Sequence, residues 1–172
     1  DQARAICSAL PFFIQKIGVF VNETFERIMD RVKVCGLTGV QLHGQESPGL
    51  AAQLAGEGLI VIKALFAARD PHLAQAPEFE SASYLLVEYG KGVLPGGNAE
   101  SWNYEIAGQI KTRLPVLLAG GLTPESAPDA LSRTRAEGLD VSSGVEERPG
   151  FKDITKVKTF LKSVGAGMMP PV

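Results

Sequence analysis

The sequence predicts an α/β protein of parallel strands joined by helical crossovers, and its last third points to a (β/α)8 barrel. Three observations carry this. Short apolar runs alternate with stretches of helical periodicity along the chain, the pattern of consecutive βα units with right-handed crossovers. Pro115-Val116-Leu117-Leu118-Ala119-Gly120-Gly121-Leu122-Thr123-Pro124 reads as a strand, a glycine turn and a helix start. Gly138-Leu139-Asp140-Val141-Ser142-Ser143-Gly144-Val145-Glu146 repeats the arrangement: Leu139 and Val141 alternate with Asp140 and Ser142, then Ser143-Gly144 breaks the period of two. Two such turns in succession suggest the phosphate site formed by the loops after strands seven and eight of a barrel.

Taken in order, Gln2 to Leu10 reads as a helix tail with Ala5, Ile6 and Ala9 on one face, stopped by Pro11. Ile17 to Val21 is a near-continuous apolar run, as expected of a strand covered on both faces. Asn22 is expected to cap a helix carrying Phe25, Ile28, Met29 and Val32 at helical spacing. Gly39 to Leu42 is a strand, and Ser47-Pro48 opens a helix with serine as cap and proline in the first turn. Leu59 to Leu65 is the strongest strand, rich in Leu, Ile and Val. Ala67 to Ser83 holds a short helix, Tyr84 to Glu88 a strand, and Tyr89 to Ser101 a glycine-rich loop.

Tyr104 to Thr112 reads as helix and Pro115 to Ala119 as strand. Thr123-Pro124-Glu125 supplies a cap, a first turn and an acidic residue for a helix to about Arg135, with Pro128 where its missing N–H costs little. Leu139 to Ser142 is the last strand, and Ile154, Val157, Phe160, Leu161 and Val164 form the apolar face of a final helix. These add to six strands, whereas a closed barrel has eight and usually at least ~200 residues. The expectation is therefore one barrel domain over residues 1–164, N-terminally incomplete, with a Gly/Pro-rich tail at 165–172. The first strand–helix unit and the second strand, about 35 residues, are expected ahead of residue 1.

Composition narrows the function. Apolar residues make up 45% of the chain, charged residues 21%, and the net charge is −2. There is no basic excess for nucleic acid and no long apolar run for a membrane span. Cys7 and Cys35 form neither a CxxC pair nor a disulfide framework, so free thiols and a cytoplasmic location are expected. His43 and His72 lack metal-ligand spacing, and neither a metal nor a cofactor is expected. The expected ligand is a small phosphorylated molecule, held by backbone amides of Gly120, Gly121, Ser143 and Gly144. The helix near Thr123 would add its positive end.

Four strings, in order, carry a resemblance: Val19-Phe20-Val21-Asn22; Val40-Gln41-Leu42-His43-Gly44-Gln45-Glu46; Leu118-Ala119-Gly120-Gly121-Leu122-Thr123-Pro124-Glu125; and Asp140-Val141-Ser142-Ser143-Gly144-Val145-Glu146, with Pro149-Gly150 and Lys152-Asp153 following. The chain resembles phosphoribosylanthranilate isomerase of tryptophan biosynthesis. That resemblance implies a (β/α)8 barrel and an Amadori rearrangement of N-(5-phosphoribosyl)anthranilate to the 1-deoxyribulose aminoketone. An acid protonates the ribose ring oxygen and opens the ring to a Schiff base. A base then removes the C2′ proton.

The family's acid is an aspartate at the end of strand six. Here that position is Glu88, which can do the same work if its added reach is compensated. The family's base is a cysteine at the end of strand one, in a Lys-(Ile/Val)-Cys-Gly motif, and an arginine after strand two helps hold the anthranilate. Neither has a counterpart in this sequence. Lys33-Val34-Cys35-Gly36 imitates the cysteine motif but ends a helix, which puts Cys35 at the face opposite the one where barrels do chemistry. Cys35 is thus expected to be a buried structural thiol. Gly96-Gly97-Asn98-Ala99 replaces a Gly-Gly-(Thr/Ser)-Gly loop, leaving Gly97 and Asn98 as rim candidates. Gln41, His43, Asp140 and Ser142 complete the expected rim, His43 by hydrogen bonding. Lys63 faces the site or fills the barrel interior. Glu146 and Lys152 read as solvated charges, and Trp102 as packing its loop onto the barrel.

Two other readings stay open on sequence alone. One is another ribose-phosphate barrel enzyme, such as indole-glycerol-phosphate synthase or ribulose-phosphate epimerase, although the epimerase's metal ligands are not visible. The other is a catalytically silent phosphate-binding fragment, motivated by the missing base. The oligomeric expectation is a monomer or homodimer.

Overall fold

The structure, a computed structural model, describes residues 2–90 and 102–165. Six strands form one parallel sheet in sequence order: β1 (Ile17–Phe20), β2 (Gly39–Leu42), β3 (Ile60–Phe66), β4 (Tyr84–Glu88), β5 (Val116–Ala119) and β6 (Gly138–Asp140). Before β1 lies α1 (Gln2–Ala9). The crossovers carry α2 (Phe25–Cys35), α3 (Pro48–Gly56), 3-10 helices at Leu73–Phe79 and Tyr104–Gln109, and α4 (Ala127–Arg133). A 3-10 turn (Ser143–Val145), a hairpin of β7 (Glu146–Arg148) and β8 (Phe151–Lys152), and α5 (Ile154–Gly165) complete the described chain.

The sheet curls. Gln41 on β2 and Asp140 on β6 are joined by a 3.3 Å hydrogen bond, whereas four interstrand steps in a flat sheet would separate them by about 19 Å. Among the described residues β1 and β6 do not pair with each other, so the sheet is a six-stranded part-barrel. The period of two sorts its side chains. Val40, Leu42, Val61, Leu65, Leu85, Val87 and Leu118 face the helices in the larger core. Ile62, Ala64, Phe66, Leu86 and Ala119 form a smaller inner cluster, and above it, on the same side, sit Gln41, His43 and Glu88.

Several boundaries differ from the sequence expectations for local reasons. Asn22 does not cap α2. Its φ is 55°, its side chain accepts from the Gln45 amide at 2.6 Å, and Thr24 is the cap instead, at 3.4 Å from the Arg27 amide. Thr123 and Ser126 exchange amide–hydroxyl bonds over a first turn, at 2.9 and 3.3 Å, and α4 runs only from Ala127 to Arg133. The segment expected as helix to Thr112 is a 3-10 turn ending at Gln109, with Gly108 disfavouring the α form. The last parallel strand stops at Asp140, so Ser142 leads into the 3-10 turn rather than ending a strand. Cys35 is half-buried, not fully buried.

Candidate active site

A cavity of about 730 Å3 opens at the C-terminal ends of the strands. Parallel strands all leave their loops at this end, so residues far apart in sequence meet there. Its floor is apolar, from Ile17, Val19, Ile62 and Leu117. It is lined by Gln41, His43 and Glu88 and, next to Glu88, by Gly120-Gly121 after β5 and Ser142-Ser143-Gly144 after β6. Gly97 and Asn98 lie outside the described residues.

The two glycine turns are in contact. A Cβ placed on Gly144 would run into the Leu122 carbonyl and come within 3.2 Å of the Thr123 Cα, so only glycine lets the two turns close on each other. Gly120 and Gly121 have φ of 90° and 65°, left-handed values that cost little without a Cβ. The Tyr104 hydroxyl donates to the Gly120 carbonyl at 3.0 Å, and the Trp102 indole N–H donates to the Ala119 carbonyl at 3.0 Å. Burial raises the Tyr104 phenol above its ordinary pKa, which keeps it a donor. With these carbonyls occupied, the Gly121 amide has no acceptor among the described residues. The first amides of the Ser143–Val145 turn have no partner inside it.

Beside these turns the polar groups are shielded. His43 and Glu88 are 4% and 5% exposed, with His43 Nε2 3.1 Å from Glu88 Oε2. His43 Nδ1 lies 2.8 Å from Gln41 Oε1, and Gln41 Nε2 donates to Asp140. The edge of Phe66 packs on the imidazole at 5.5 Å between ring centres. His43 therefore does bridge rim residues by hydrogen bonds, and Trp102 ties its segment to the end of β5.

Three other residues sit where the sequence reading did not put them. Lys63 neither faces the cavity nor fills the interior. It lies on the helix-facing side of β3, fully buried, with Nζ 2.6 Å from Glu46, 2.7 Å from the Gly44 carbonyl and 3.3 Å from the Leu42 carbonyl. Burial pulls the Lys63 ammonium below its ordinary pKa, and the Glu46 carboxylate pulls back up. Glu46 also accepts the Asn22 and Gly44 amides, so this pair pins the loops after β1 and β2 beneath His43. Glu146 and Lys152 are not free solvated charges but line the cavity as a 2.7 Å pair, with Lys152 also bonded to the Ser142 carbonyl and hydroxyl. The Lys152 hydrogen bond holds Glu146 below the usual carboxylate range. The signal for the hairpin that carries them was present in the Pro149-Gly150 turn dipeptide, but its charged flanks hid the strands. Neither Cys7 nor Cys35 lines the cavity.

Comparison with known proteins agrees with this arrangement. The model of the N-(5'phosphoribosyl)anthranilate (PRA) isomerase family matches residues 1–163. The chain is 48% identical over 163 residues to N-(5'-phosphoribosyl)anthranilate isomerase of Desulfatibacillum aliphaticivorans, covering 95% of this chain and 74% of that relative. The crystal structure of phosphoribosyl anthranilate isomerase from Thermotoga maritima superimposes with a TM-score of 0.84 at 33% identity, over 95% of this chain and 79% of that one. A phosphoribosyl anthranilate isomerase in complex with reduced 1-(o-carboxyphenylamino)-1-deoxyribulose 5-phosphate gives a TM-score of 0.80, also at 33% identity, over 95% and 78%. With six ordered parallel strands, a cavity at their C-terminal ends and these likenesses across nearly its whole length, the chain belongs to the phosphoribosylanthranilate isomerase family.

Proposed function

We propose that the cavity binds N-(5'-phosphoribosyl)anthranilate and isomerises it to the 1-deoxyribulose aminoketone, as a step of tryptophan biosynthesis. The observation that carries this reading is the sharing of one cavity by a shielded carboxyl, Glu88, and two abutting glycine turns. The amides of Gly121, Ser143 and Gly144, with Gly120 shaping the turn, hold the substrate phosphate. Lys152, paired with Glu146, lines the same cavity.

Glu88 is the general acid. It gives its proton to the ribose ring oxygen, the C1′–O bond breaks with its electron pair going to that oxygen, and the nitrogen lone pair forms the Schiff base. A base then takes the C2′ proton, and the enolamine becomes the ketone. The base would be a cysteine, as the family resemblance implies, on a strand that pairs with an edge of the part-barrel. With a further strand at the edge of β1, the part-barrel would close to eight strands. Gln41, His43, Asp140 and Ser142 form the rim, with Gly97 and Asn98, outside the described residues, as further candidates. No helix among the described residues is long and apolar enough to cross a membrane. The reading is of a cytoplasmic enzyme, monomeric or homodimeric, working without metal or cofactor.

Turnover of N-(5'-phosphoribosyl)anthranilate by the full-length protein tests the reading. Activity is expected, with a loss of about 10²–10⁴-fold on Glu88→Gln. A Glu88→Gln enzyme at the parent rate overturns the acid assignment.

A further inference from the structure

Four polar side chains stand in line across the inner face of the sheet. Asp140 Oδ2 accepts from Gln41 Nε2 at 3.3 Å, Gln41 Oε1 lies 2.8 Å from His43 Nδ1, and His43 Nε2 lies 3.1 Å from Glu88 Oε2. They come from β6, β2, the end of β2 and the end of β4, so the curl of the sheet alone brings them together. We propose that Asp140 is a positioning residue. Acting through the Gln41 amide, it decides which nitrogen of His43 carries the proton and leaves His43 Nε2 free to meet the proton of Glu88. This deepens the acid role proposed for Glu88 and rests on it.

A carboxylate only accepts hydrogen bonds. Gln41 must therefore turn its NH2 toward Asp140, and its carbonyl oxygen then faces His43 Nδ1. An oxygen acceptor at 2.8 Å requires Nδ1 to be protonated. In the neutral ring the other nitrogen, Nε2, is then a bare lone pair aimed at Glu88. Two acceptors 3.1 Å apart repel unless one proton lies between them, and both side chains are too shielded for water to intervene, at 5% and 7% exposure. That shared proton is the one ring opening consumes. It passes to the ribose oxygen as the C1′–O bond breaks, leaving Glu88 as carboxylate and His43 neutral. In the opposite tautomer Nε2–H would donate to a Glu88 carboxylate with no proton to give. The other charged groups at the cavity, Glu146 and Lys152, are bonded to each other, and Lys63 faces away from it. Phe66 offers the ring only an apolar edge.

The test is 15N NMR of the chain labelled in histidine, which separates protonated from bare ring nitrogens without reference to turnover. The sequence has two histidines, and His72 is the internal reference: its Nδ1 accepts the Ala74 amide at 3.2 Å, so its proton is on Nε2. His43 is expected to show the reverse, a protonated Nδ1. Asp140→Leu removes the oxygen that holds the Gln41 NH2, so the Gln41 amide is free to turn over and the signal of His43 Nδ1 is expected to move from protonated to a mixture of protonated and bare. A bare Nδ1 in the parent protein, or a fully protonated Nδ1 that persists in Asp140→Leu, overturns the proposal. If Asp140→Leu fails to fold, seen as loss of the His72 pattern, Gln41→Met takes its place. Mixed His43 tautomers in that variant support the relay, and an unchanged protonated Nδ1 overturns it. Failure of the acid role itself appears separately, as undiminished turnover by Glu88→Gln.

Discussion

The Lys63 ammonium sits 2.6 Å from the Glu46 carboxylate, with the two side chains 0% and 1% exposed. Glu46 stands after β2 and Lys63 within β3, so the pair fastens a loop of the catalytic face to the middle of the sheet. Removing one partner strands the other charge in a dry site. Lys63→Met is expected to cost about 3–5 kcal/mol in equilibrium urea unfolding. Adding Glu46→Gln should recover a good part of that loss, because the buried charge is gone. Two losses that simply add would show that the residues do not act as a pair.

Gly144 is the position where the two turns touch. Gly144→Ala drives a methyl into the Leu122 carbonyl, and overpacking of this kind costs about 1–3 kcal/mol. Part of that should appear as a raised KM of the full-length enzyme, since the collision parts the amides assigned to the phosphate. An unchanged KM with lowered stability would place the phosphate elsewhere.

Glu88→Asp keeps a carboxyl but withdraws it from His43, now 3.1 Å away. The rest of the site is arranged around the longer side chain. A fall in kcat of about 10²-fold is expected, with KM little changed. Equal or better turnover by the aspartate variant would mean that the wall tolerates either length.

The Glu146–Lys152 pair gives a pH-dependent contribution. Glu146 is held below its unfolded pKa, first by the Lys152 hydrogen bond. Its contribution to stability is therefore fully present above the unfolded value of about 4.3, and is lost as pH falls through the lower folded value. Carbon-13 NMR of the Glu146 carboxyl should show a titration below the ordinary range that moves back up in Lys152→Met. A midpoint indifferent to Lys152 would contradict the assigned cause.

Tyr104→Phe removes the donor that occupies the Gly120 carbonyl. A cost of about 1 kcal/mol is expected in urea unfolding. No measurable loss would mean that solvent replaces the hydroxyl.

Much of this fold could be read from local pattern, and most of the site could not. The apolar runs at Ile60 and Tyr84 gave their strands to within a residue or so, because strands covered on both faces are continuous in hydrophobicity; the run at Ile17 gave β1 although Val19 there is exposed. The same continuity hides which way each side chain points. Lys63 was thus undecidable from its neighbours, although the structure turns it to the helix side. Glycines marked the two turns, Gly120 and Gly121 because left-handed backbone calls for that residue, and Gly144 because a side chain there would collide with the other turn. Nothing local joins His43 to Glu88, or Gln41 to Asp140. Those contacts depend on the curvature of the sheet, a property of six strands together. Asn22 misled for a related reason: its side chain serves the Gln45 amide on the neighbouring loop, not its own helix.

The outer strands β1 and β6 each keep one edge without a strand partner among the described residues, and both contribute side chains to the cavity. Whatever seals that seam must also become a wall of the reaction chamber. Any strand that pairs there adds its inward side chains to the same chamber, so the fit of that strand and the shape of the cavity cannot be varied independently.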